Sequence, residues 1–339
     1  MPAEISNIGF DWLGFGLQDF EANHKGTPGN DLLVGGDGND IFTGKGGDDT
    51  FIGGAGDDLF RDGAGTDVIV GGGGFDRMSF GFYSDWTHGA YVNLTTGAVI
   101  DGDGNLDQVS GISAIGFGTQ FADTFIGDDG ANLIWGGAGD VLMGMGGDDV
   151  IMVNDAPALV DGGAGVNSVW FQGGRFIFNP PLPVTDFEVS PHGVNVDLGK
   201  GLILDDGFGG SGAVVNIQNV YGSAQGDVIV GDKQDNVIAG MAGDDTLTGG
   251  GGQDIFLFDT TSQDTDGNPL PDGHDVITDF KPHQDRIAID MPGVASFADL
   301  TITQGAHGSL VITYDANQDS ITLLHTHAVT ADDFIFGPP

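Results

Sequence analysis

The stretch Gly35-Gly36-Asp37-Gly38-Asn39-Asp40-Ile41-Phe42-Thr43 is the clearest copy of a nine-residue repeat that fills residues 26 to 79 six times without interruption. Position 6 of every copy is aspartate and position 8 is always a large apolar residue. The glycines permit tight turns. The last three residues favour a very short strand whose middle side chain points inward. Because nine residues cannot bury that side chain alone, the copies must stack on one another.

Stacking brings the position-6 carboxylates into rows. Like charges in a row repel one another, and a cation removes that repulsion. Calcium binds carboxylate and backbone carbonyl oxygens together in flexible geometry, and both kinds of oxygen are abundant in this repeat. The sequence therefore predicts multiple Ca²⁺ ions bound along the stacked copies. A disordered glycine-rich linker would not need an apolar residue at every ninth position.

Two further blocks of repeats bring the total to sixteen copies. One copy is a residue short and places Asp140 where the ligand is expected, and another has Ala158 at that position. We therefore expect at least one calcium ion to be missing near residues 140 to 160. The predicted metal ligands are Asp31, Asp40, Asp49, Asp58, Asp67, Asp76, Asp123, Asn132, Asp140, Asp149, Asn167, Asp227, Asn236, Asp245 and Asp254.

These copies resemble the GGxGxDxUx repeats of the RTX (repeats-in-toxin) family, including the repeat modules of alginate C5-epimerases. The segment around Asp275–Phe280 and Asp285–Ile289 resembles the region that follows the repeats in serralysin-type proteases. The resemblance implies a parallel β-roll with calcium between successive turns. The expected fold is all-β: a parallel β-roll with non-repeat connecting rungs and a C-terminal β cap.

The repeat boundaries divide the chain into seven segments. Two connectors are related by a constant offset of 104 residues, which pairs His88 with His192 and Asp101 with Asp205. They are either parts of a duplicated unit of about 100 residues or wider rungs of one solenoid. The loop Asp101–Asp107 lacks the glycine and distal glutamate of an EF-hand, which favours a plain turn.

The seven segments of the chain are a leader or cap (1–25), the first block (26–79), a connector (80–117), the second block (118–170), a second connector (171–221), the third block (222–257) and a C-terminal cap with secretion signal (258–339).

Composition narrows the possible partners. The net charge is −41, with 50 acidic against nine basic residues, so binding to nucleic acid or an anionic membrane is not expected. Cysteine is absent, which excludes disulfides and thiolate chemistry. No apolar run is long enough to span a membrane.

The RTX resemblance implies secretion by a type I apparatus that reads the C-terminus, where Asp333 precedes three apolar residues. We expect an extracellular monomer that binds calcium and acts at an anionic polysaccharide.

Catalysis is the alternative function. The chain has no HExxH, no Gly-x-Ser-x-Gly and no P-loop, which excludes the corresponding protease, lipase and nucleotide sites. The connectors hold Tyr83, His88, Arg175 and His192. If they converge, a cation could neutralise a uronate carboxylate while His and Tyr exchange protons at C5. That set predicts a polyuronate C5-epimerase or lyase, acting on mannuronan, alginate or glucuronan. A histidine at a strand entry is also commonly structural, so both interpretations stay open.

Overall fold

The computed structural model describes residues 22–80, 86–116, 118–171, 174–177, 186–259, 270–314 and 319–337, with backbone alone for 174–177 and 186–189. The described chain forms two compact units: residues 22–152 with 157–167, and residues 153–156 with 168–337. The strands in chain order are β1 (Ala22–Lys25), β2 (Leu32–Val34), β3 (Asp40–Thr43), β4 (Thr50–Ala55), β5 (Leu59–Arg61), β6 (Val68–Gly73), β7 (Arg77–Ser79), β8 (Tyr91–Asn93), β9 (Ala98–Ile100), β10 (Leu106–Ser110), β11 (Ala114–Gly116), β12 (Thr124–Ile126), β13 (Leu133–Gly136), β14 (Val141–Met143), β15 (Val150–Val153), β16 (Leu159–Asp161), β17 (Ser168–Phe171), β18 (Gly174–Ile177), β19 (Asp186–Val189), β20 (Asn195–Asp197), β21 (Leu202–Asp205), β22 (Gly212–Val215), β23 (Asn219–Tyr221), β24 (Val228–Val230), β25 (Val237–Ala239), β26 (Thr246–Thr248), β27 (Ile255–Asp259), β28 (His274–Ile277), β29 (Arg286–Asp290), β30 (Thr301–Gln304), β31 (Leu310–Thr313), β32 (Ser320–Leu323) and β33 (Phe334–Phe336).

Each nonapeptide of the first unit contributes one strand, and successive copies alternate between two parallel sheets. One sheet runs β1-β3-β5-β7-β11-β13, and β2, β4 and β6 lie side by side in the other. Within the repeats a strand therefore pairs with the strand two copies later, as Phe42 does with Phe60 and Phe51 with Ile69. Two nonapeptides make one full turn of the roll.

Position 8 fills the core between the two sheets. Phe42, Phe51 and Phe60 are fully buried, with relative exposures of 0%. Phe42 and Phe60 stack with ring centroids 4.9 Å apart, and Phe51 meets Phe60 edge-on at 6.4 Å. Aromatic pairs in these arrangements add stability beyond the apolar area that they bury. In the first rung, Leu33 is only partly buried.

The first connector supplies rungs of the same solenoid. Its strand β10 pairs in parallel with β6 and places Val109 opposite Ile69. Its strand β11 pairs with β7 and places Ile115 opposite Met78. Between them, β9 runs antiparallel to both β8 and β10. The interpretation of the connector as a wider rung is thereby confirmed for this unit.

The second unit repeats the arrangement. One parallel sheet runs β17-β23-β25-β27-β29-β33, and the other contains β20, β24, β26, β28 and β32. The regular ladder continues beyond residue 257, because Ile287 pairs with Phe256 and Leu323 with Ile277. Near the end of this unit, β31 and β32 pair antiparallel, and β30 adds antiparallel to β31.

The predicted fold class is confirmed: a parallel β-roll with non-repeat rungs and a C-terminal β cap. In the part of the chain that the structure describes, helical residues form short 3₁₀ turns at Phe297–Asp299, Ala306–Gly308 and Ala331–Asp333. None of the described helices is long and apolar enough to cross a membrane. Residues 1–21 of the predicted leader lie outside the described residues.

Replacing Phe51 by alanine is expected to lower the free energy of unfolding by about 3–5 kcal/mol, because the change opens a cavity between two sheets that cannot collapse onto it. Urea unfolding in saturating calcium, followed by circular dichroism, measures the effect. The matched control is Ile52→Ala, since Ile52 is the next residue and is 37% exposed on the outer face. Equal losses in the two variants would contradict the assignment of position 8 to the core.

Candidate metal sites

The predicted ligand side chains lie at the entry of each short strand, two residues before the core residue of position 8. Fourteen of the fifteen are buried, and Asp31, in the first rung, is partly buried. Asp58, Asp67, Asp76 and Asn167 have relative exposures of 0%. Carboxylates are seldom fully buried unless they are paired or bind a metal.

At most aspartates of this row, one carboxylate oxygen accepts a backbone amide of the neighbouring turn. Asp58 Oδ1 accepts the amide N–H of Asp40 at 2.8 Å, and Asp76 Oδ1 accepts that of Asp58 at 2.9 Å. The same ladder recurs in the second unit, where Asp245 Oδ1 accepts the amide of Asp227 at 2.7 Å. These bonds hold each carboxylate in a fixed orientation between two turns.

The second carboxylate oxygen has no such donor at several positions. The Oδ2 atoms of Asp49, Asp58, Asp76, Asp149 and Asp254 are buried without a hydrogen-bond partner. Leaving an ionised oxygen in this state is strongly unfavourable. Among the described residues, these oxygens are therefore candidate contacts for a cation.

Backbone carbonyl oxygens lie close to the same carboxylate oxygens. A Cβ atom placed on Gly53 would overlap both Asp58 Oδ2 and the carbonyl oxygen of Gly71 in the next turn. Glycine at position 1 thus leaves open a space bordered by a carboxylate and a carbonyl. Calcium takes about six to eight oxygen ligands of these two kinds, so the residues present fit calcium.

Burial and mutual repulsion raise the pKa values of these groups. Burial, with added repulsion from Asp76 and Asp40, raises the pKa of Asp58 to about 6. Burial raises the pKa of Asp149 to about 7. Burial and then the charge of Asp227 raise the pKa of Asp245 to about 9. Without a cation, the charged form of each group is disfavoured in the folded protein.

The shortened copy keeps its ligand. Asp140 Oδ1 accepts the amide of Asp123 at 2.8 Å over a spacing of 17 residues instead of 18, and Leu142 still fills the core. In the degenerate copy, the amide of Ala158 donates instead to the carbonyl oxygen of Asp140 at 2.8 Å. The carboxylate is thus missing at Ala158, where the sequence analysis expected a gap in the metal row.

Three residues of the ladder were missed by the sequence analysis. Asp107 accepts the amide of Asp67 at 2.8 Å, Asp275 that of Asp245 at 2.9 Å, and Asp285 that of Asp254 at 3.3 Å. They fall outside the nonapeptide spacing because longer connections precede them. Each nevertheless stands two residues before a buried apolar residue, and this local pattern could have identified them.

A second ladder, which the sequence analysis did not anticipate, runs through position 5 in the opposite direction. Asn39 Oδ1 accepts the amide of Asp57 at 2.8 Å, and Asp57 Oδ1 accepts that of Phe75 at 2.7 Å. Here the side chain of one turn binds the backbone of the next turn. Asp and Asn at position 5 therefore hold the turns together through hydrogen bonds.

The four predicted catalytic residues are only partly described. His88 is exposed, and its Nδ1 lies 2.8 Å from Thr87 Oγ1. His192 is exposed, with Nδ1 3.4 Å from Asp205 Oδ2. Tyr83 lies outside the described residues, as does the side chain of Arg175, whose backbone pairs with Glu188 in the hairpin of β18 and β19. His88 belongs to the first unit and His192 to the second, and their catalytic role stays a prediction.

The sequence model of the RTX calcium-binding nonapeptide repeat, in four copies, matches residues 25–51, 43–78, 117–151 and 221–256. The repeats are RTX calcium-binding nonapeptides. The RTX resemblance of the sequence is thereby confirmed, and the match supports calcium as the cation that these repeats bind.

No curated protein matches the chain. Among solved structures, extracellular lipase LipA from Serratia marcescens is similar with a TM-score of 0.23 and 17% identity, over 92% of this chain and 40% of the lipase. The AlgE6R3 subunit of the Azotobacter vinelandii mannuronan C5-epimerase is similar with a TM-score of 0.22 and 19% identity, over 63% of this chain and 77% of the subunit. The chain thus spans about 40% of the length of the lipase.

The raised pKa values predict opposite pH dependences with and without calcium. In calcium-free protein, a raised folded-state pKa stabilises the fold at low pH, and this contribution is lost as pH rises through about 6 to 9. In saturating calcium, protons compete with the ion, so stability should rise over the same range. The β content of calcium-free protein at pH 5 and pH 8, read by circular dichroism, gives the first dependence, and urea unfolding in saturating calcium at the same two pH values gives the second.

Asp149→Asn serves as the control for that measurement, because it removes one titrating group and should flatten the calcium-free slope. Slopes of the same sign with and without calcium would show that the buried carboxylates do not exchange protons for the ion.

Proposed function

We propose that this chain is a secreted protein whose β-roll folds on multiple calcium ions outside the cell and then acts at an anionic extracellular polysaccharide. The observation that carries the calcium part is the column of buried carboxylate oxygens without donors, such as Asp58 Oδ2, that face carbonyl oxygens of the next turn. Bound calcium would neutralise these carboxylates and remove the repulsion between successive turns. The position-6 side chains, extended by Asp107, Asp275 and Asp285, would hold the ions.

Calcium binding would make folding depend on whether the chain is inside or outside the cell. In a cytosol with little calcium, the ionised column repels itself and the chain stays unfolded and exportable. Outside the cell, ions that bind the folded form and not the unfolded form shift the equilibrium toward the roll. The large negative charge of −41 makes this dependence strong.

The position of the C-terminal segment supports export before folding. Phe334 is 7% exposed and pairs with Ile287 of β29, and Asp333 is fully buried. Asp333 also forms a reciprocal capping box with Thr330. A type I apparatus that reads Asp333 and Phe334 would need these side chains accessible, and both are buried in the folded roll.

Calcium titration of chelated protein is expected to convert a mostly unfolded chain into the β-roll, read by circular dichroism. Asp58→Asn should move the midpoint severalfold toward higher calcium, because it removes one buried ligand charge. Asp37→Asn is the matched control, since Asp37 is exposed in the preceding turn of the roll and its change should leave the midpoint in place. The same β content in excess EGTA as in calcium would refute calcium-dependent folding.

The proposal that the protein acts at an anionic polysaccharide rests on the negative charge of its surface. Bare attraction between this acidic surface and a polyuronate is excluded, so calcium ions must bridge carboxylates on the two partners. Exposed acidic side chains such as Asp103, Asp129 and Asp235 are available for such bridges. A neutral glycan offers no carboxylate and would not be held in this way.

The folded protein is expected to be retarded in native gels that contain polymannuronate and calcium, and to migrate normally with dextran. His88→Ala and His192→Ala should be retarded equally, because a binding protein does not need these side chains. Unchanged migration in polymannuronate would remove the polysaccharide from the proposal. Proton NMR of the same mixture in D₂O tests the catalytic alternative, since C5-inverted or unsaturated products would show an epimerase or a lyase.

A further inference from the structure

Three aspartates meet in the first unit where the connector joins the last turns of the first block. They are Asp62, Asp101 and Asp107, and each has a relative exposure of 0%. One carboxylate oxygen from each lies within 4.8 Å of those of the other two. Two of the three, Asp62 and Asp101, belong to no position 6, so this cluster differs in composition from the repeat sites.

Asp62 is the unusual member. It stands at position 1 of its copy, where the other five copies of the first block have glycine. Both of its carboxylate oxygens are buried and no N–H or hydroxyl group donates to either, while its carboxyl lies within hydrogen-bonding reach of the carboxyl of Asp67. Burial, together with the charges of Asp107, Asp67 and Asp101, raises its pKa well above the usual value. A fully buried carboxylate surrounded by other carboxylates is strongly unfavourable unless a cation joins them.

The other two side chains are held in place by the backbone. Asp101 Oδ1 accepts the amides of Asp103 at 2.9 Å and Asn105 at 2.7 Å. Asp101 Oδ2 accepts Asn105 Nδ2 at 3.0 Å. Asp107 Oδ1 accepts the amide of Asp67, which leaves Oδ2 buried without a donor. These bonds orient the carboxylates before any ion arrives, as supporting groups do in metal sites.

We propose that Asp62, Asp101 and Asp107 bind one further divalent cation, calcium, that fastens the connector loop 101–107 to the last turns of the first block. All of the donors are carboxylate oxygens, which favour calcium over zinc, a metal that takes nitrogen and sulfur ligands readily. Full burial disfavours magnesium, which keeps several of its water ligands.

The second connector provides a comparison within the same chain. At the offset of 104 residues, Asp101 corresponds to Asp205 and Asp107 to Ser211. Asp205 lies beside the ring of His192, at 3.4 Å, and the buried Asp206 repeats the hydrogen bonds of Asp101, since its Oδ1 accepts the amides of Phe208 at 3.0 Å and Gly210 at 2.7 Å. The corresponding loop therefore keeps a counterpart of Asp101 and lacks a counterpart of Asp107, because Ser211 carries no carboxylate.

The test is the number of calcium ions bound per folded chain, measured by elemental analysis after equilibrium dialysis. Asp62→Ala and Asp62→Gly should each bind one ion fewer than the unchanged protein, and the glycine variant restores the residue that the other copies carry. Asp103→Ala, in the same loop but exposed, should bind the full number. Circular dichroism in saturating calcium checks that every variant is folded.

A double variant shows whether the side chains share an ion. Asp62→Ala with Asp101→Ala should lose one calcium in total. An unchanged count in both Asp62 variants would overturn the proposal and show that the cluster is neutralised by shared protons. A loss of two ions in the double variant would also overturn it, because the two residues would then serve separate sites.

This inference shares with the proposed function only the premise that the chain binds calcium. If the unchanged protein binds no calcium, both fail. If it binds several ions and the Asp62 variants bind equally many, only the additional site fails.

Discussion

The repulsion between stacked carboxylates is the constraint on which the rest of this molecule depends. A roll that places an aspartate at the same point of every turn buries charges that water would otherwise stabilise, and it buries them next to one another. Backbone amides stabilise one oxygen of each carboxylate, as Asp76 Oδ1 shows by accepting the amide of Asp58 at 2.9 Å. The other oxygen has no such donor, and under the proposed function a bound calcium ion would neutralise it, which links folding to metal binding.

The nonapeptide places the repelling carboxylates and the apolar core residues on the same short strands. Positions 6 and 8 are two residues apart, so their side chains point to the same side of a very short strand. Asp58 and Phe60 are both fully buried, the first at the entry of the strand and the second in its middle. An ion that orders the carboxylate therefore also orders the strand that buries the phenylalanine. Metal binding and apolar packing are two results of one spacing, and neither column can form without the other.

The sequence predicted most of the fold, because period-nine patterning determines which residues stack. It located the core column and the position-6 side chains, including Asp140 in the shortened copy. It did not locate Asp107, Asp275 and Asp285, because the chain reaches them after connections of 40, 30 and 31 residues from their ladder partners instead of 18. Their local pattern, an aspartate two residues before a buried apolar residue, is intact. A search by period misses what a search by local pattern would have found.

The connectors limit prediction for a different reason. The nine-residue spacing of the repeats determines which residues of neighbouring copies stack. The conformation of a connector depends instead on the particular turns that it joins. Gly89, which follows His88, illustrates this: a Cβ atom there would overlap the carbonyl oxygen of Ala122 in the adjoining rung. The glycine therefore has a structural reason to recur as Gly193, where the same overlap would occur with Gly226. These overlaps explain the recurrence of the glycine alone, and the role of the two histidines stays a prediction. Asp62 shows the reverse case: a glycine position filled by a buried carboxylate has no packing reason, and this is why an ion is proposed there.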